Sequence, residues 1–276
     1  MSDSELPTAG RAGAVVPEWL ERARAAAAAP PLAVRAELRL GAAGTAIGSI
    51  EPALAERMSA AELPLLRRRG QAWAVEGSSD AALVQIARWL HREWRCPPWR
   101  DELLPVVDGE GRRLAVVERS VVRVLGLRTF AVHLVGRSPD GGFWVQQRAF
   151  DKATDPGQWD TLMGGQLAAG ETTEATLERE TWEEAGLGLA ELTALGRVAD
   201  LTVRRPVAEG YMDEQIAVFR AVLAAGVMPA NRDGEVVRFE CLCEAALRDR
   251  LAAGAFTLEA TLILGAELER PAVPSR

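Results

Sequence analysis

Three glutamates on one predicted helix are the residues of this sequence best suited to chemistry. Glu180, Glu183 and Glu184 are spaced i, i+3 and i+4, so a helix places them on one face within about one turn. Like charges at this spacing destabilise a helix by roughly 0.2–0.5 kcal/mol per pair. A multivalent cation would turn this repulsion into binding, whereas the alternative interpretation is an ordinary solvated acidic face.

The residues around this acidic face match a longer pattern. From Gly165, the sequence fits G-x5-E-x7-R-E-U-x-E-E-x-G-U, in which U is an apolar residue. The fixed positions are Gly165, Glu171, Arg179, Glu180, Glu183, Glu184 and Gly186. This segment resembles the Nudix box, the signature of hydrolases that cleave a nucleoside diphosphate linked to another moiety. Thr181 departs from the pattern because an aliphatic residue is usual there, but its methyl group can still pack.

The resemblance implies a divalent metal at the acidic face, Mg²⁺ with Mn²⁺ as the alternative. Mg²⁺ prefers carboxylate oxygens and binds substrate phosphates directly, and a bound metal lowers the pKa of its water. The implied ligands are Glu180, Glu183, Glu184 and a backbone carbonyl of Gly164 or Gly165. The implied catalytic residues are Glu180, as ligand or general base, Glu183 and Arg179, which pairs with a box glutamate and orients it. Glu171 has a supporting hydrogen-bonding role.

Many members of this family recruit a further carboxylate beyond the box. The resemblance points to Glu214 as that metal ligand, with Asp213 and Glu235 as rivals. Each of these three carboxylates fits equally well as a surface charge, so the assignment depends on where the fold places them.

The residues before the box resemble those of one subgroup of the family. Residues 143–148, residues 152–160 and Gly164-Gly165 look like the Nudix module that is fused to thiamine pyrophosphokinase in fungi. Stand-alone plant and bacterial relatives carry the same run behind a separate N-terminal domain. The activity that this resemblance implies is hydrolysis of thiamine diphosphate, especially its oxidised forms, to the monophosphate.

Four side chains in these segments are the expected substrate contacts. Arg148 and Lys152 can hold terminal phosphates, and Trp159 or Trp144 can stack on a heteroaromatic ring. Trp144 alternates within a predicted strand, so the alternative interpretation is that its ring lies in the core.

Three other functions fit parts of the pattern. Hydrolases of ADP-ribose or NADH share the box and differ in substrate. Isopentenyl diphosphate isomerase shares the fold, but it relies on a cysteine and on histidine metal ligands, and no cysteine or histidine lies between residues 134 and 240. Non-catalytic modules of this type often lose box glutamates, and this sequence retains all of them.

The elements that must position these residues follow from caps and periodicity. Thr172 is the expected N-cap of a helix over residues 173–185, and Gly186 is the expected residue past its C-terminus. Further helices are predicted over 244–253 and 258–268, strands over 129–136, 143–148, 192–203, 214–223 and 235–241, and a loop over 149–163. This order predicts an α/β fold, and the resemblance specifies a Nudix α/β/α sandwich with a mixed sheet.

A smaller α+β domain is predicted before the sandwich. Its expected elements are a helix over 18–29, a strand over 32–40, a helix over 81–94 and a hairpin over 103–117. The predicted organisation is a disordered tail over 1–16, the N-terminal domain over 17–120, the hydrolase domain over 121–270 and a tail over 271–276.

Composition and charge limit the partners. A formal net charge of −7 disfavours a nucleic-acid surface, no apolar run approaches membrane-spanning length, and the acidic N-terminus is unlike a signal peptide. Cys241 and Cys243 are interpreted as a reduced, buried pair. We expect a cytoplasmic enzyme for a small-molecule diphosphate, with no nucleic-acid or membrane partner; its oligomeric state is open, a homodimer being one option.

Overall fold

The chain folds into helices and strands whose bounds set the geometry of the candidate site. A computed structural model describes residues 16–61, 63, 65–77, 79–94 and 96–270, so the predicted tails fall outside the described residues except for Val16. The helices are α1 (Glu18–Ala26), α2 (Pro52–Ala60), α3 (Ser79–Glu93), α4 (Thr173–Ala185), α5 (Glu244–Ala252) and α6 (Leu258–Glu269). The strands are β1 (Ala36–Leu40), β2 (Thr45–Ile50), β3 (Leu66–Arg69), β4 (Ala72–Val75), β5 (Leu103–Val107), β6 (Arg113–Glu118), β7 (Arg128–Arg137), β8 (Phe143–Arg148), β9 (Trp159–Asp160), β10 (Met163–Gln166), β11 (Leu192–Val207), β12 (Gly210–Leu223) and β13 (Val236–Leu242).

A mixed sheet between helices carries the second half of the chain. Among the described residues it has seven strands in the order β11-β12-β7-β8-β13, with β10 beside β7 and β9 beside β8. One face packs on α4 through residues such as Val132 and Leu177, and the other packs on α1 and α6 through residues such as Ile216 and Leu264. Full burial of each such side chain contributes roughly 1.5–3 kcal/mol. The predicted α/β class and sandwich are confirmed.

The sheet forks beside β7, where β8 separates from it. β12 runs parallel to β7 along its whole length, whereas β8 pairs with β7 only at Gly136 and Arg137. β10 pairs with residues 131–134 of β7 instead, and β8 turns away to pair with β9 and β13. The loop over residues 149–158 connects β8 to β9 at this fork.

The N-terminal half has its own four-stranded sheet, in the order β2-β1-β4-β3 within the described residues, and its own hydrophobic core. That core extends from Leu38 to Leu127 and so includes residues past the predicted boundary. α1 packs elsewhere, because Leu20 and Ala23 lie in the core beside α6. The division of the chain into two domains stays a prediction.

Several local expectations need correction. The first strand begins at Ala36 rather than at residue 32, and Leu32 is almost fully exposed. The predicted loop over 149–163 contains β9 and the start of β10. Cys241 and Cys243 are both exposed, because one lies on the outer edge strand β13 and the other precedes α5, so the expected buried pair is wrong. Across the described residues, we find no helix long and apolar enough to cross a membrane.

Candidate active site

The box helix α4 begins and ends as its sequence predicts. The Thr172 side chain accepts a hydrogen bond from the Ala175 backbone N–H, which caps the first turn. Gly186 ends the helix with φ 65°, a left-handed conformation that glycine adopts at little cost. The two caps fix the length of the helix and therefore which residues face β10.

Arg179 is the centre of the hydrogen-bond network on this helix. Its Nε and Nη2 donate to the two carboxylate oxygens of Glu171 at 2.7 and 2.9 Å, which makes a bidentate ion pair. The hydrogen bond from Arg179 holds the pKa of Glu171 at about 2, and a hydrogen bond from the Thr176 hydroxyl adds to the effect. Glu171 therefore holds the Arg179 guanidinium through two hydrogen bonds, and its supporting role in the reaction stays a prediction.

The same guanidinium holds two of the three box carboxylates. Its Nη1 donates to Glu180 at 2.8 Å and to Glu183 at 3.0 Å. Burial and the nearby charge of Glu184 raise the pKa of Glu180 to about 7, although Arg179 opposes the shift. Glu183 is more open to solvent, with 44% of its side chain exposed. Arg179 therefore contacts both carboxylates, and its role in orienting them stays a prediction.

Gly165 lies directly against Glu180. A Cβ atom at position 165 would be 2.0 Å from the Glu180 carboxyl carbon, so only glycine fits without moving that carboxylate. The neighbouring Gly164 is packed against the ring of His133, because a Cβ atom at position 164 would be 2.6 Å from His133 Cε1. The glycine step thus brings backbone and carboxylate together, the arrangement expected where a backbone carbonyl and a glutamate share a ligand.

Glu184 is buried and faces away from Arg179. Its carboxylate accepts hydrogen bonds from Gln146 Nε2 at 2.8 Å and from the Gly164 backbone N–H at 3.0 Å. Lys152 Nζ lies 3.4 Å away. Burial raises the pKa of Glu184, and Lys152 opposes that shift. Of the three box glutamates, this one is held most firmly by the protein itself.

The box glutamates have the chemistry that a divalent cation requires, but their side chains are not arranged as a complete coordination shell. In the described part of the chain, no three His, Cys, Asp or Glu side chains converge as a metal cluster. The crowded, buried Glu180 carboxylate is the observation that favours a cation, because a positive charge there would relieve the burial and repulsion that raise its pKa. Glu180, Glu183 and a Gly165 backbone oxygen are the groups that would hold it, with Arg179 giving up part of its present contacts.

Glu214 lies next to this network, as its assignment requires. It is buried, and it accepts hydrogen bonds from Thr129 and from Gln166 Nε2, each at 2.8 Å. The Gln166 backbone oxygen accepts from Arg179 at 3.3 Å, so one residue joins Glu214 to the box. Of the rivals, Asp213 pairs with Arg128 and Arg204, whereas Glu235 pairs with Lys152, which also reaches Glu184 on the box helix.

The four expected substrate residues divide into two groups. Arg148 and Lys152 line the fork, with Arg148 Nη1 at 3.3 Å from Asp160 and Lys152 bridging Glu184 to Glu235. Trp144 and Trp159 are buried in the two cores that flank the sheet, and the guanidinium of Arg250 covers the Trp159 ring at 4.6 Å. This burial disfavours stacking of either indole on a substrate ring, and the substrate contacts of Trp144 and Trp159 stay a prediction.

Sequence reasoning missed several polar side chains on the opposite side of the fork. These residues are Gln146, Asp160, Gln166, Arg205 and Glu259. Gln146 and Arg148 alternate on β8, which was a signal that one face of this strand is polar. Glu259 and Arg205 come from α6 and β11, and no local pattern indicates that these two elements meet near the box.

The sequence of this chain is similar to that of known proteins. Residues 127–261 match the family model of the NUDIX domain. Over 168 residues the chain is 28% identical to Nudix hydrolase 24, chloroplastic, of Arabidopsis thaliana, which covers 58% of this chain and 45% of that protein. An uncharacterized Nudix hydrolase of Pseudomonas aeruginosa, PA4841, is 35% identical over 96 residues, which cover 35% of this chain and 57% of that protein.

A solved structure shares the fold. DR0079 from Deinococcus radiodurans is 22% identical, with a TM-score of 0.50, and the match covers 61% of this chain and all of that one. The α/β sandwich therefore has a fold that is found in a solved structure. Residues 127–261, which match the NUDIX domain model, carry this fold, and several of the relatives are named Nudix hydrolases. The chain spans about half the length of the plant relatives it matches, 45% and 44%.

Proposed function

We propose that this protein hydrolyses a diphosphate bond in a small molecule with the help of a divalent metal, Mg²⁺ or Mn²⁺. The observation that carries the proposal is the contact between Gly165 and the buried Glu180 carboxylate, on a helix face that also presents Glu183. Carboxylate and backbone oxygens are the ligands that these hard cations prefer. When bound, the metal neutralises phosphate charge and supplies an acidified water.

The residues of the chain have separate tasks in this reaction. Glu183 binds the metal, and Glu180 is either a second metal ligand or the general base. In the metal-free protein its pKa is about 7, so a Glu180 carboxylate that is not bound to the metal can accept a proton near neutral pH. Arg179 orients both carboxylates from its anchor on Glu171. Glu184 and Glu214 are ligands or close neighbours of the metal, each fixed by hydrogen bonds to amide donors.

The substrate that we favour is thiamine diphosphate or one of its oxidised derivatives, giving the monophosphate and phosphate. The support is the sequence of residues 143–160 together with the cationic side chains of Arg148 and Lys152 at the fork. Nucleoside diphosphate compounds such as ADP-ribose and NADH are the second candidates, because the names of the relatives, Nudix hydrolases, specify no substrate. We place the reaction in the cytoplasm, with no nucleic-acid or membrane partner.

A matched pair of variants tests the proposal. Glu183→Gln removes a carboxylate from the metal face, and Glu178→Gln removes one from an exposed position of the same helix. Both are assayed with Mg²⁺ on thiamine diphosphate, its oxidised analogues, ADP-ribose, NADH and nucleoside triphosphates. We expect Glu183→Gln to lose activity by about 10²-fold or more while Glu178→Gln keeps it. Equal activity in the two variants would contradict metal-assisted hydrolysis at this face, and cleavage of ADP-ribose alone would overturn only the substrate.

A further inference from the structure

Three arginines converge on two consecutive residues of the loop at the fork. Arg148 Nη2 donates to the Thr154 backbone oxygen at 2.9 Å, and Arg123 Nη1 donates to the Thr154 hydroxyl at 3.4 Å. Arg205 Nη2 lies 3.9 Å from an Asp155 carboxylate oxygen. Three guanidinium groups from three separate elements therefore surround one dipeptide.

These guanidiniums are poorly satisfied by the protein. The Nε atoms of Arg148 and Arg205 are buried, and each lacks a hydrogen-bond partner among the described residues. Arg123 forms no ion pair within the part of the chain that the structure describes. Because a buried donor without a partner is costly, and most buried polar groups in proteins are paired, unused donors at one place indicate a missing acceptor.

The carboxylates that face the cluster of Arg123, Arg148 and Arg205 do not use all of its hydrogen-bond donors. Asp160 is 3.3 Å from Arg148, and Glu259 is 3.4 Å from Arg205. Strong pairs of this kind have distances of about 2.7–2.9 Å, and Arg179 reaches such distances with Glu171 at 2.7 and 2.9 Å. The cluster is therefore held in place by its acidic neighbours without being saturated by them.

The loop that the three arginines surround is closed by a hydrogen bond at its base and has an uncommon backbone conformation at Asp155. Arg148 N donates to the Gln158 oxygen at 2.9 Å across its base. Asp155 adopts φ 49°, which is uncommon for a residue other than glycine and which tends to persist where the surroundings impose it. Lys152, two residues before Thr154, reaches Glu184 on the box helix. The loop around which the arginines gather therefore also contacts the box helix.

We infer that Arg123, Arg148 and Arg205 form an anion-binding subsite for the terminal phosphate of the diphosphate substrate, an inference that rests on the proposed function. A phosphate group has several acceptor oxygens and matches the forked donors of arginine. Arg123 lies before residues 127–261, so the segment that leaves the N-terminal core supplies part of the substrate site. This gives the N-terminal half a role in the reaction.

Inorganic phosphate tests the subsite independently of hydrolysis. Its affinity is measured by calorimetry on the full chain without metal, for the unchanged protein and for Arg123→Gln, Arg123→Lys, Arg205→Gln and Arg113→Gln. Arg113 is an exposed arginine on β6 and serves as the matched control. We expect Arg123→Gln and Arg205→Gln to weaken phosphate binding about tenfold each, Arg123→Lys to retain part of the affinity, and Arg113→Gln to bind as the unchanged protein does. Thermal melts verify that the variants are folded.

The same variants separate this inference from the proposed function. With substrate and Mg²⁺, Arg123→Gln should raise KM about tenfold and change kcat little, because the contact is made equally before and during reaction. No phosphate binding by the unchanged protein, or equal affinity in Arg123→Gln and Arg113→Gln, would overturn the subsite even if hydrolysis proceeds. Loss of phosphate binding in Arg123→Gln, in a protein that cleaves no diphosphate, would support the anion site and contradict the hydrolase.

Discussion

The arginine on the box helix and the arginines at the loop face the same site and differ in how fully they are paired. Arg179 donates to three carboxylates at 2.7–3.0 Å and to a backbone oxygen. Within the described residues, Arg148 and Arg205 each keep a buried Nε without a partner, and the one side-chain hydrogen bond of Arg123 is a long one to Thr154. The difference teaches that one guanidinium has a structural task, holding carboxylates in position, whereas the other three retain donors for a ligand.

The largest expected effect comes from removing the paired arginine. Arg179→Ala would leave Glu171, Glu180 and Glu183 without their shared cation, so both the orientation of the ligands and the stability of the helix should suffer. Because its side chain is 32% exposed, we expect a loss of about 2–3 kcal/mol in the free energy of unfolding and a loss of about 10²-fold or more in kcat/KM. Urea denaturation and Mg²⁺-dependent turnover measure the two.

The exposed pair of Arg197 with Asp200 provides the control for that experiment. Arg197→Ala should change stability by less than about 1 kcal/mol and leave turnover intact. If Arg179→Ala behaved like this control, the structural task assigned to Arg179 would be wrong.

Glu180→Gln should stabilise the metal-free protein at high pH. The pKa of Glu180 is about 7 in the folded protein, above its ordinary value. The unfolded chain therefore ionises first, and the stability that this group contributes at low pH is lost as pH rises through about 7. At pH 8 in the presence of a chelator, the variant should be more stable than the unchanged protein by about 1–2 kcal/mol, and near pH 4 the difference should vanish. A variant that is less stable at pH 8 would contradict the crowded-carboxylate account.

Glu171→Gln should show the opposite pH dependence. The pKa of Glu171 is lowered to about 2 by its hydrogen bond from Arg179, so its contribution is present above the ordinary pKa and is lost as pH falls toward 2. Allowing for solvent screening, we expect the variant to be less stable at pH 7 by about 1–2 kcal/mol. Denaturation curves at several pH values measure the effect, and a difference that grew on acidification would show that the pair with Arg179 has another energetic role.

The smallest expected effect comes from replacing Thr181, another buried side chain with an unpaired polar atom. Thr181 is fully buried on α4, its Oγ1 has no hydrogen-bond partner among the described residues, and its position is usually aliphatic in the pattern. Thr181→Val keeps the shape and removes the hydroxyl, so it should stabilise the protein by about 1 kcal/mol. A destabilised variant would show that the hydroxyl is satisfied in solution, and it would weaken the same reasoning for Arg148 and Arg205.

The box could be predicted from sequence because its determinants are local. The spacing of Glu180 and Glu183, the cap at Thr172 and the left-handed Gly186 all follow from one helix and its ends. Glu214 was predicted by resemblance, and the pairing of β12 with β7 places it beside Gln166. That assignment as a ligand stays a prediction.

The rest depends on contacts between distant segments. The burial of Trp159 results from its pairing with Phe256 and from the cover of Arg250, neither of which has a local signal. The cluster around Thr154 needs Arg123 and Arg205, which come from 31 residues before that threonine and from β11 on its far side. Periodicity indicates where strands lie, but it does not determine which strand ends meet.

Direct metal binding tests the central claim, that the face of Glu180 and Glu183 holds a divalent cation. Mn²⁺ is titrated into the 276-residue chain at pH 8. The free Mn²⁺ concentration is followed by electron paramagnetic resonance for the unchanged protein, Glu183→Gln and Glu178→Gln. We predict that Glu183→Gln raises the Kd for Mn²⁺ by about tenfold or more, since a charged ligand is lost, while Glu178→Gln leaves it unchanged. Equal Kd values in all three proteins would contradict a metal site on this helix.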